Sequence, residues 1–350
     1  MNRRRTLLLF ALSTPLLLLA AGAQAASGKR RSPVAPRAPA RFDLDRADIR
    51  DFAARAATRT GMGEKQVLSL LAEASPQSSI LDAMSRPAES VLPWWQYRER
   101  FLTNARITAG LTFWAKHAEL LDEVERERGV PAEYLVSILG VETHYGRIVG
   151  RYRVLDALTT LGFDYPARAA YFRSELEEFL LLAREDQLDP LATKGSYAGA
   201  MGAPQFMPSS IRRFAVDSGG KGHRDLWQDW HDVFASVANY LAMQGWKQGE
   251  PVLAEARRDG EADDPLAFRL LLADSLGAFR GRGYAVDSTQ PDSAPALLVP
   301  AEQADSVGWR VGFNNFYVIT RYNRSPRYAM AVHDLATALR EGRDQAEASS

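Results

Sequence analysis

The stretch SILGVETHYG, residues 137–146, places a single carboxylate, that of Glu142, in an otherwise apolar segment. Pro131 suits the first turn of a helix here, and Gly146 suits its end. The residues that share the helix face of Glu142 at spacings of three, four and seven are Leu139, Ile138 and Leu135. We therefore predict a helix over 132–144 with Glu142 turned towards the core, where burial should raise the pKa of its carboxyl.

A carboxylic acid that stays protonated near neutral pH is what a glycosidase needs to protonate a leaving sugar oxygen. The alternative for Glu142 is a buried structural residue that bonds a backbone group. This segment alone favours the structural role, and the rest of the chain reverses that preference.

The N-terminus has the pattern of a secretory signal peptide, 1–25. Arginines at 3–5 precede an apolar run over 6–21, and the small-x-small tripeptide at 23–25 fits a cleavage site. The alternative, an uncleaved anchor, is disfavoured because the apolar run is short for a membrane span and Pro15 interrupts it. After cleavage we expect no membrane span. The chain has no cysteine, which excludes disulfides, thiolate metal sites and a lipid anchor on cysteine.

Residues 26–41 are predicted to be a basic, proline- and alanine-rich linker with five basic residues and no acid. The whole chain has 43 basic and 43 acidic residues. Without the three arginines of the signal and the five basic residues of the linker, the body carries eight fewer basic than acidic residues. Such an acidic body argues against nucleic acid as the main partner.

Apolar periodicity predicts a mainly helical chain with a small β-rich insertion. Helices are predicted throughout 42–129, with a long amphipathic one over 105–128, and over 132–144, 168–186, 233–244 and 328–340. Short strands are predicted at 252–257, 296–300, 309–313 and 316–321.

A glycine-rich loop over 194–208 interrupts the helices. It lacks the GxxxxGK[ST] pattern of a phosphate-binding loop, so we do not expect a nucleotide site. Its glycines let the backbone approach a bulky ligand closely. Gln205 can bond sugar hydroxyls or amides, and Phe206 and Met207 offer apolar faces to sugar rings. The alternative is that these residues turn a corner and fill a core.

Several segments, in this order along the chain, resemble the lytic murein transglycosylase B family (glycoside hydrolase family 103). They are VETHYG (141–146), AYF (170–172), KGSYAGAMG (194–202), QFMPSS (205–210), SVANY (236–240), NFY (315–317) and TRYN (320–323). The resemblance extends from about residue 42 to 340. Because the lipid-anchor cysteine is missing, the chain resembles a soluble periplasmic form.

The resemblance implies a lysozyme-like core and assigns roles to individual residues. It places the single catalytic acid/base at Glu142, with Ser196 as its hydrogen-bond partner. The residues that it places along the glycan groove are Tyr97, Arg168, Tyr171, Gln205, Phe206, Met207, Tyr322, Asn323 and Tyr328. Ala167 stands where related sequences can carry a second arginine.

A calcium loop of the family corresponds to 217–223, but Gly219 and Lys221 occupy positions where ligands are expected. An ammonium group repels a cation, so we expect no calcium site and no cofactor. A zinc site is not expected either, because the histidines show no HExxH pattern. The five histidines are His117, His144, His223, His231 and His333.

Periodicity and resemblance together predict a division into six parts. They are the signal peptide (1–25), the linker (26–41), a helical subdomain (42–130), a lysozyme-like catalytic core (131–250), a β-rich part (251–327) and a C-terminal helix that returns to the core (328–344). The expected substrate is the glycan strand of peptidoglycan, cleaved at the MurNAc–GlcNAc β-1,4 bond with formation of 1,6-anhydroMurNAc.

Two alternatives to a transglycosylase remain open from sequence. A hydrolytic muramidase would use the same acid with a water held by a second carboxylate. Asp164 and Glu175 lie near enough in sequence to be considered for that role. A non-catalytic wall-binding protein is disfavoured, because both Glu142 and Ser196 are present.

Overall fold

The computed structural model describes residues 41–85, 92–258 and 268–349. The predicted signal peptide and all but the last residue of the predicted linker lie outside these residues. Within the described ranges, none of the helices is long and apolar enough to cross a membrane.

The predicted fold class, mainly α with a smaller β part, is confirmed. The described residues form these helices: α1 (Ala47–Thr60), α2 (Glu64–Ala72), α3 (Ser78–Met84), α4 (Trp94–Glu99), α5 (Asn104–Lys116), α6 (Ala118–Arg128), α7 (Ala132–Thr143), α8 (Val154–Asp164), α9 (Ala169–Glu185), α10 (Pro208–Phe214), α11 (Trp230–Met243), α12 (Leu276–Gly281), α13 (Asn314–Tyr322) and α14 (Pro326–Ala348). They also form seven strands: β1 (Tyr152–Arg153), β2 (Lys194–Gly195), β3 (Leu253–Arg258), β4 (Asp274–Ser275), β5 (Tyr284–Val286), β6 (Pro295–Glu302) and β7 (Val307–Gly312).

Helix α7 is the centre of the helical core. Every residue from Leu135 to Thr143 is buried, so the helix is enclosed on all sides rather than on one face. Helix α14 packs along it, and the Ser137 hydroxyl donates to the Val332 carbonyl at 2.6 Å. An ion pair between Arg340 and Glu133 fixes the other end of this contact.

Tyr145 explains why two glycines stand in the helices around this core. Its hydroxyl donates to the Arg106 carbonyl at 2.9 Å. A Cβ atom at Gly110 would lie 2.4 Å from the Tyr145 hydroxyl, and one at Gly140 would lie 2.8 Å from its ring. Either side chain would collide, so the glycines allow α5 and α7 to close on the tyrosine.

Five of the strands form an antiparallel sheet in the order β4-β6-β7-β3-β5. The register pairs Leu253 with Gly312 and Leu298 with Val311. This sheet encloses its own small hydrophobic cluster, separate from the main core. The cluster consists of Ala256, Leu276, Phe279, Tyr284, Ala296, Val311 and Phe313. The remaining two strands, β1 and β2, pair as a short ribbon.

Two of the predicted elements are wrong. The single helix over 105–128 is two helices, because His117 leaves helical geometry at φ −119°. There its ring packs against Phe113 at a centroid distance of 4.8 Å. The strand predicted at 316–321 is part of helix α13. Its aromatic and β-branched residues favour a strand locally, but packing in the core overrides that preference.

Asn315 shows how α13 is held as a helix. Its side-chain nitrogen donates to the carbonyls of Lys247 and Glu250, and its oxygen accepts from the Lys247 amide. The other predicted helices from residue 132 onward are confirmed with shifted ends, α14 running further than expected. The first three predicted strands are also confirmed, each shifted or extended at its ends as β3, β6 and β7.

Candidate active site

Glu142 lies one residue before the end of α7 and is 2% exposed, which confirms its predicted burial. The Tyr328 hydroxyl donates to Glu142 Oε1 at 2.7 Å. Tyr328 stands in the first turn of α14, so the packing of α14 on α7 brings this phenol to the carboxylate. The contact joins two residues that are 186 positions apart.

Tyr328 is held in its neutral form. Burial, followed by the negative charge of Glu142, raises the pKa of its hydroxyl well above the ordinary value. The neighbouring Tyr322 ring stacks on it at a centroid distance of 6.4 Å and an interplanar angle of 12°. Burial and Glu142 raise the pKa of Tyr322 in the same way. The carboxylate thus faces a phenol that donates a hydrogen bond at every physiological pH.

Ser196 turns the glycine-rich loop back on itself. Its Oγ accepts from the amides of Ala198 at 3.3 Å and Ala200 at 3.0 Å. Its own amide donates to the Ala200 carbonyl at 2.8 Å. Because the hydroxyl already accepts two hydrogen bonds, its proton is available to donate. The contact from Ser196 to Glu142 that the resemblance implies stays a prediction.

Gln205 ties this loop to the segment that follows α7. Its backbone is left-handed, with φ 52°, and its Nε2 donates to the carbonyls of Val149 and Gly202 at 3.1 and 2.9 Å. Gly202 is also left-handed, and a Cβ there would lie 2.6 Å from the Leu226 carbonyl oxygen. Since Nε2 is committed to the backbone, Oε1 is the atom with which Gln205 would meet a sugar.

Phe206 and Met207 are largely buried, at 3% and 5% exposure. The Phe206 ring packs 5.5 Å from the rings of both Tyr240 and Tyr322. These contacts favour the core-filling alternative for most of the Phe206 surface. A small pocket nevertheless opens here, and it is lined by Ala200, Gln205, Phe206, Met207, Ser210, Tyr240 and Tyr322. The structure therefore brings four of the predicted groove residues together.

Asn323 is a buried polar group without a partner. It is 1% exposed, and neither Nδ2 nor Oδ1 has a hydrogen bond among the described residues. A buried amide left unsatisfied costs about 1–3 kcal/mol. It directly follows Tyr322, whose hydroxyl donates to the Pro204 carbonyl at 2.5 Å. Asn323 is thus poised to gain stability from a ligand that offers both a donor and an acceptor.

Three other predicted groove residues, Arg168, Tyr171 and Tyr97, do not line the small pocket. The Arg168 guanidinium lies over the rings of Tyr171 and Phe172, at 4.4 and 5.1 Å from their centroids. Tyr97, on α4, is 1% exposed and packs against Trp94 and Phe101. It lies close enough to Tyr328 to contribute to the raised pKa of that phenol. Tyr97 is therefore a buried neighbour of Tyr328 and not an exposed residue of a groove.

Both carboxylates considered for a hydrolase have other partners. Asp164 Oδ1 forms an ion pair with Arg46 at 2.7 Å. The oxygens of Glu175 accept from the Ser209 amide at 3.0 Å and the Ser209 hydroxyl at 2.7 Å. Each carboxylate is thus already engaged by protein groups.

The loop over 217–223, where the resemblance implied a calcium site, contains a cation of its own, Lys221. Lys221 Nζ lies 2.5 Å from Asp229 Oδ2 and 3.1 Å from Asp232 Oδ2. Asp217 accepts the backbone amides of Lys221 and Gly222. Partial burial would raise the pKa of the Asp229 carboxyl, but hydrogen bonds from the Lys221 ammonium and from the amides of Asp232 and His231 hold it below its ordinary value. The ammonium group therefore neutralises the carboxylates that would otherwise attract a divalent ion.

Two features of this region do not follow from the sequence predictions. Tyr328 is predicted on the glycan groove, but no local pattern reveals its bond to Glu142. The buried contacts of Glu175 had a sequence signal, because Tyr171 and Glu175 are four residues apart and share a face of α9.

The chain is similar to known proteins along most of its length. Residues 45–337 match the transglycosylase SLT domain family. The chain is 40% identical over 308 residues to membrane-bound lytic murein transglycosylase B of Escherichia coli K12, covering 85% of this chain and 84% of that one. It is similar to the catenated lytic transglycosylase SltB1 of Pseudomonas aeruginosa, with TM-score 0.81, 48% identity, and coverage of 85% and 98%.

A second similar structure is SltB3 of Pseudomonas aeruginosa in complex with NAG-anhNAM-pentapeptide. Its TM-score is 0.71, its identity is 31%, and 83% of this chain and 78% of that one are covered. The match of the family model to most of the chain, together with these relatives, establishes that the chain belongs to the SLT-domain lytic transglycosylase family.

Proposed function

We propose that this protein is a peptidoglycan lytic transglycosylase with Glu142 as its single catalytic acid/base. The observation that carries the proposal, in a member of this family, is a buried carboxylate that is hydrogen-bonded by Tyr328. The ring of Tyr322, which stacks on Tyr328, lines a small pocket together with Gln205 and Met207. The carboxyl group of Glu142 is shielded from bulk water, so its proton can pass to and from a bound substrate.

The reaction that we propose divides into two proton transfers by one residue. Glu142 protonates the glycosidic oxygen of the MurNAc–GlcNAc bond as that bond breaks, and the MurNAc N-acetyl oxygen stabilises the cationic C1 from within the substrate. The ionised Glu142 then takes the proton from the MurNAc C6 hydroxyl, whose oxygen closes on C1. The product is 1,6-anhydroMurNAc, and the intramolecular attack gains from proximity. This chemistry calls for no cofactor.

The orphan amide of Asn323 supports a glycan as the ligand. An N-acetyl group or a pair of sugar hydroxyls offers the donor and acceptor that Asn323 lacks. We propose that Asn323, Gln205 and Arg168 supply the polar contacts to the strand. The remaining groove contacts are assigned to Tyr97, Tyr171, Phe206, Met207, Tyr322 and Tyr328. Ser196 is assigned a bond to Glu142.

Hydrolysis of the same bond is the second candidate reaction. It would need a water activated by another carboxylate, and the two that were considered, Asp164 and Glu175, are occupied by Arg46 and Ser209. A closing C6 hydroxyl needs no such group. The geometry therefore favours the transglycosylase.

We further propose that the protein acts in the periplasm after removal of residues 1–25, with no nucleic-acid partner. Its N-terminus after secretion should lie near Ala26, which Edman sequencing of the periplasmic protein checks. The reaction is tested by mass spectrometry of products from purified sacculi. We expect muropeptides that end in anhydroMurNAc, each lighter by one water than the hydrolysis product. Hydrated ends alone would identify a muramidase, and intact sacculi would identify a binding protein.

A further inference from the structure

Glu175 is a buried carboxylate that the proposed reaction does not use. It lies on α9, is 4% exposed, and accepts both the amide and the hydroxyl of Ser209. Tyr171, one turn earlier on the same helix, gives it a further side-chain hydrogen bond. Three donors therefore meet on one carboxyl group in a place from which water is excluded.

These donors belong to two segments that contribute residues to the proposed groove, helix α9 and the start of helix α10. Tyr171 stands on α9 beneath the Arg168 guanidinium, which lies 4.4 Å over its ring. Ser209 lies in the first turn of α10, immediately after the pocket residues Gln205–Met207. Glu175 is thus a cross-link between the tyrosine–arginine pair on one helix and the glycine-rich loop that runs into the other.

Burial is unfavourable for the charged form of Glu175. Burial raises the pKa of its carboxyl, and the bonds from Ser209 and Tyr171 only partly oppose that effect. With a raised pKa in the folded state, its contribution to stability is full below the ordinary pKa of 4.5 and declines as pH rises through the folded-state value.

We propose that Glu175 is a positioning residue for substrate. It sets the distance between the Tyr171–Arg168 pair and the Gln205–Met207 loop, so that the pair and the loop contact the same glycan strand. This inference rests on the proposed function. Glu175 acts through other residues and touches no reacting atom. Its loss should weaken substrate binding and leave the proton transfers at Glu142 intact.

The test compares Glu175→Gln with Glu177→Gln, a control on the same helix whose partner is Arg59. The readouts are KM and kcat for a soluble fragment of two disaccharide-peptide units, the Tm, and the ratio of anhydro to hydrated ends. For Glu175→Gln we expect a rise in KM of about threefold to tenfold, the scale of one lost hydrogen bond. The kcat, the product ratio and the Tm should stay near those of the control.

A binding measurement separates this inference from the proposed function. The Kd of the same fragment is measured for Glu142→Gln with and without Glu175→Gln, so that turnover plays no part. We expect the second substitution to weaken binding by the same factor. Wild-type protein that leaves sacculi intact would overturn the proposed function, while the Kd comparison would still decide the role of Glu175.

Other outcomes would overturn the positioning role. An unchanged Kd and KM would leave Glu175 as a structural residue, and a loss of hydrated ends would make it a base that activates water. If Glu175→Gln does not fold, Tyr171→Phe and Ser209→Ala each remove one donor and keep the carboxylate. Their effects on Kd should be non-additive, because both act through Glu175. Additive effects would contradict the cross-link.

Discussion

At the scale of single residues, the contact between Glu142 and Tyr328 decides how the carboxylate works. The phenol donates at 2.7 Å and is itself buried and neutral. Such a donor holds the carboxylate in one orientation and favours its ionised form, which is the form that must accept the proton from the C6 hydroxyl.

We predict that Tyr328→Phe lowers kcat by about tenfold or more, because a hydrogen bond to a charged group is removed while the ring is kept. The pH–rate profile should move to higher pH, since the ionised form of Glu142 loses a stabilising donor. Tyr134→Phe, which removes a hydroxyl elsewhere on α7, is the control. Unchanged kinetics in Tyr328→Phe would show that this bond has no part in catalysis.

Ser196→Ala should also lower turnover without unfolding the protein. The change removes a hydroxyl whose proton is predicted to orient Glu142, a loss of about 1–3 kcal/mol if that bond is buried. The Ala198 and Ala200 amides would lose their acceptor as well, so the Tm is measured beside kcat. A fall in Tm with unaltered kcat would limit Ser196 to shaping the loop.

At the scale of elements, the 217–232 segment carries a lysine among its carboxylates. Lys221 bridges Asp229 and the fully buried Asp232, whose carboxylate also accepts the amides of Ser218 and Asp225. The positive charge is therefore built into the loop at the point where carboxylates converge.

We predict that millimolar calcium does not raise the Tm of this protein above its value in chelator, with magnesium as the control. An ion that bound the folded state would raise the Tm by mass action. Lys221→Met should lower the Tm by several degrees, because a buried carboxylate loses its counter-charge. A calcium-specific rise in the wild type would show that the loop binds the ion in spite of Lys221.

Sequence patterns predicted the helices and strands better than they predicted the contacts between them. The helix around Glu142 could be predicted, because apolar spacing and Pro131 are local signals. The strand expected at 316–321 could not be corrected from sequence, since Asn315 holds α13 through bonds to Lys247 and Glu250, far away in the chain. The contact of Tyr328 with Glu142 depends likewise on the packing of α14.

At the scale of the whole molecule, α14 closes the core against α7 with a neutral histidine in the interface. His333 Nδ1 lies 2.9 Å from the Tyr134 hydroxyl, and the two rings stack. Burial lowers the pKa of His333 to about 4 from 6.5; Asp334 opposes this shift and Arg310 adds to it.

The depressed pKa makes the stability of the fold dependent on pH. The unfolded chain binds a proton near pH 6.5 and the folded chain only near 4, so the stabilisation is present above 6.5 and is lost as pH falls towards 4. We predict that the free energy of unfolding of His333→Gln changes between pH 6.5 and 4 by about 1–3 kcal/mol less than that of the wild type. Denaturant unfolding across this pH range measures the difference. If the pH dependence of stability is the same in His333→Gln, titration of other groups causes it.

The fold of the whole molecule and the place of its site could be predicted from the sequence only in outline. Composition and periodicity indicated a helical body with a late β part, and the family resemblance supplied the site residues. The internal bonds of Glu175 and Lys221 required the folded chain, because they join segments whose separation no spacing rule fixes.

We propose that one carboxylate performs both proton transfers, and the substitution Glu142→Gln removes that carboxylate alone. Glutamine keeps the shape and can neither deliver nor accept the proton. We predict that release of anhydro-muropeptides from sacculi falls at least a hundredfold, about the smallest effect of general acid–base help, while the Kd for soluble glycan is kept. Glu133→Gln, in the first turn of the same helix, should retain activity. Cleavage by Glu142→Gln near the wild-type rate would contradict the account.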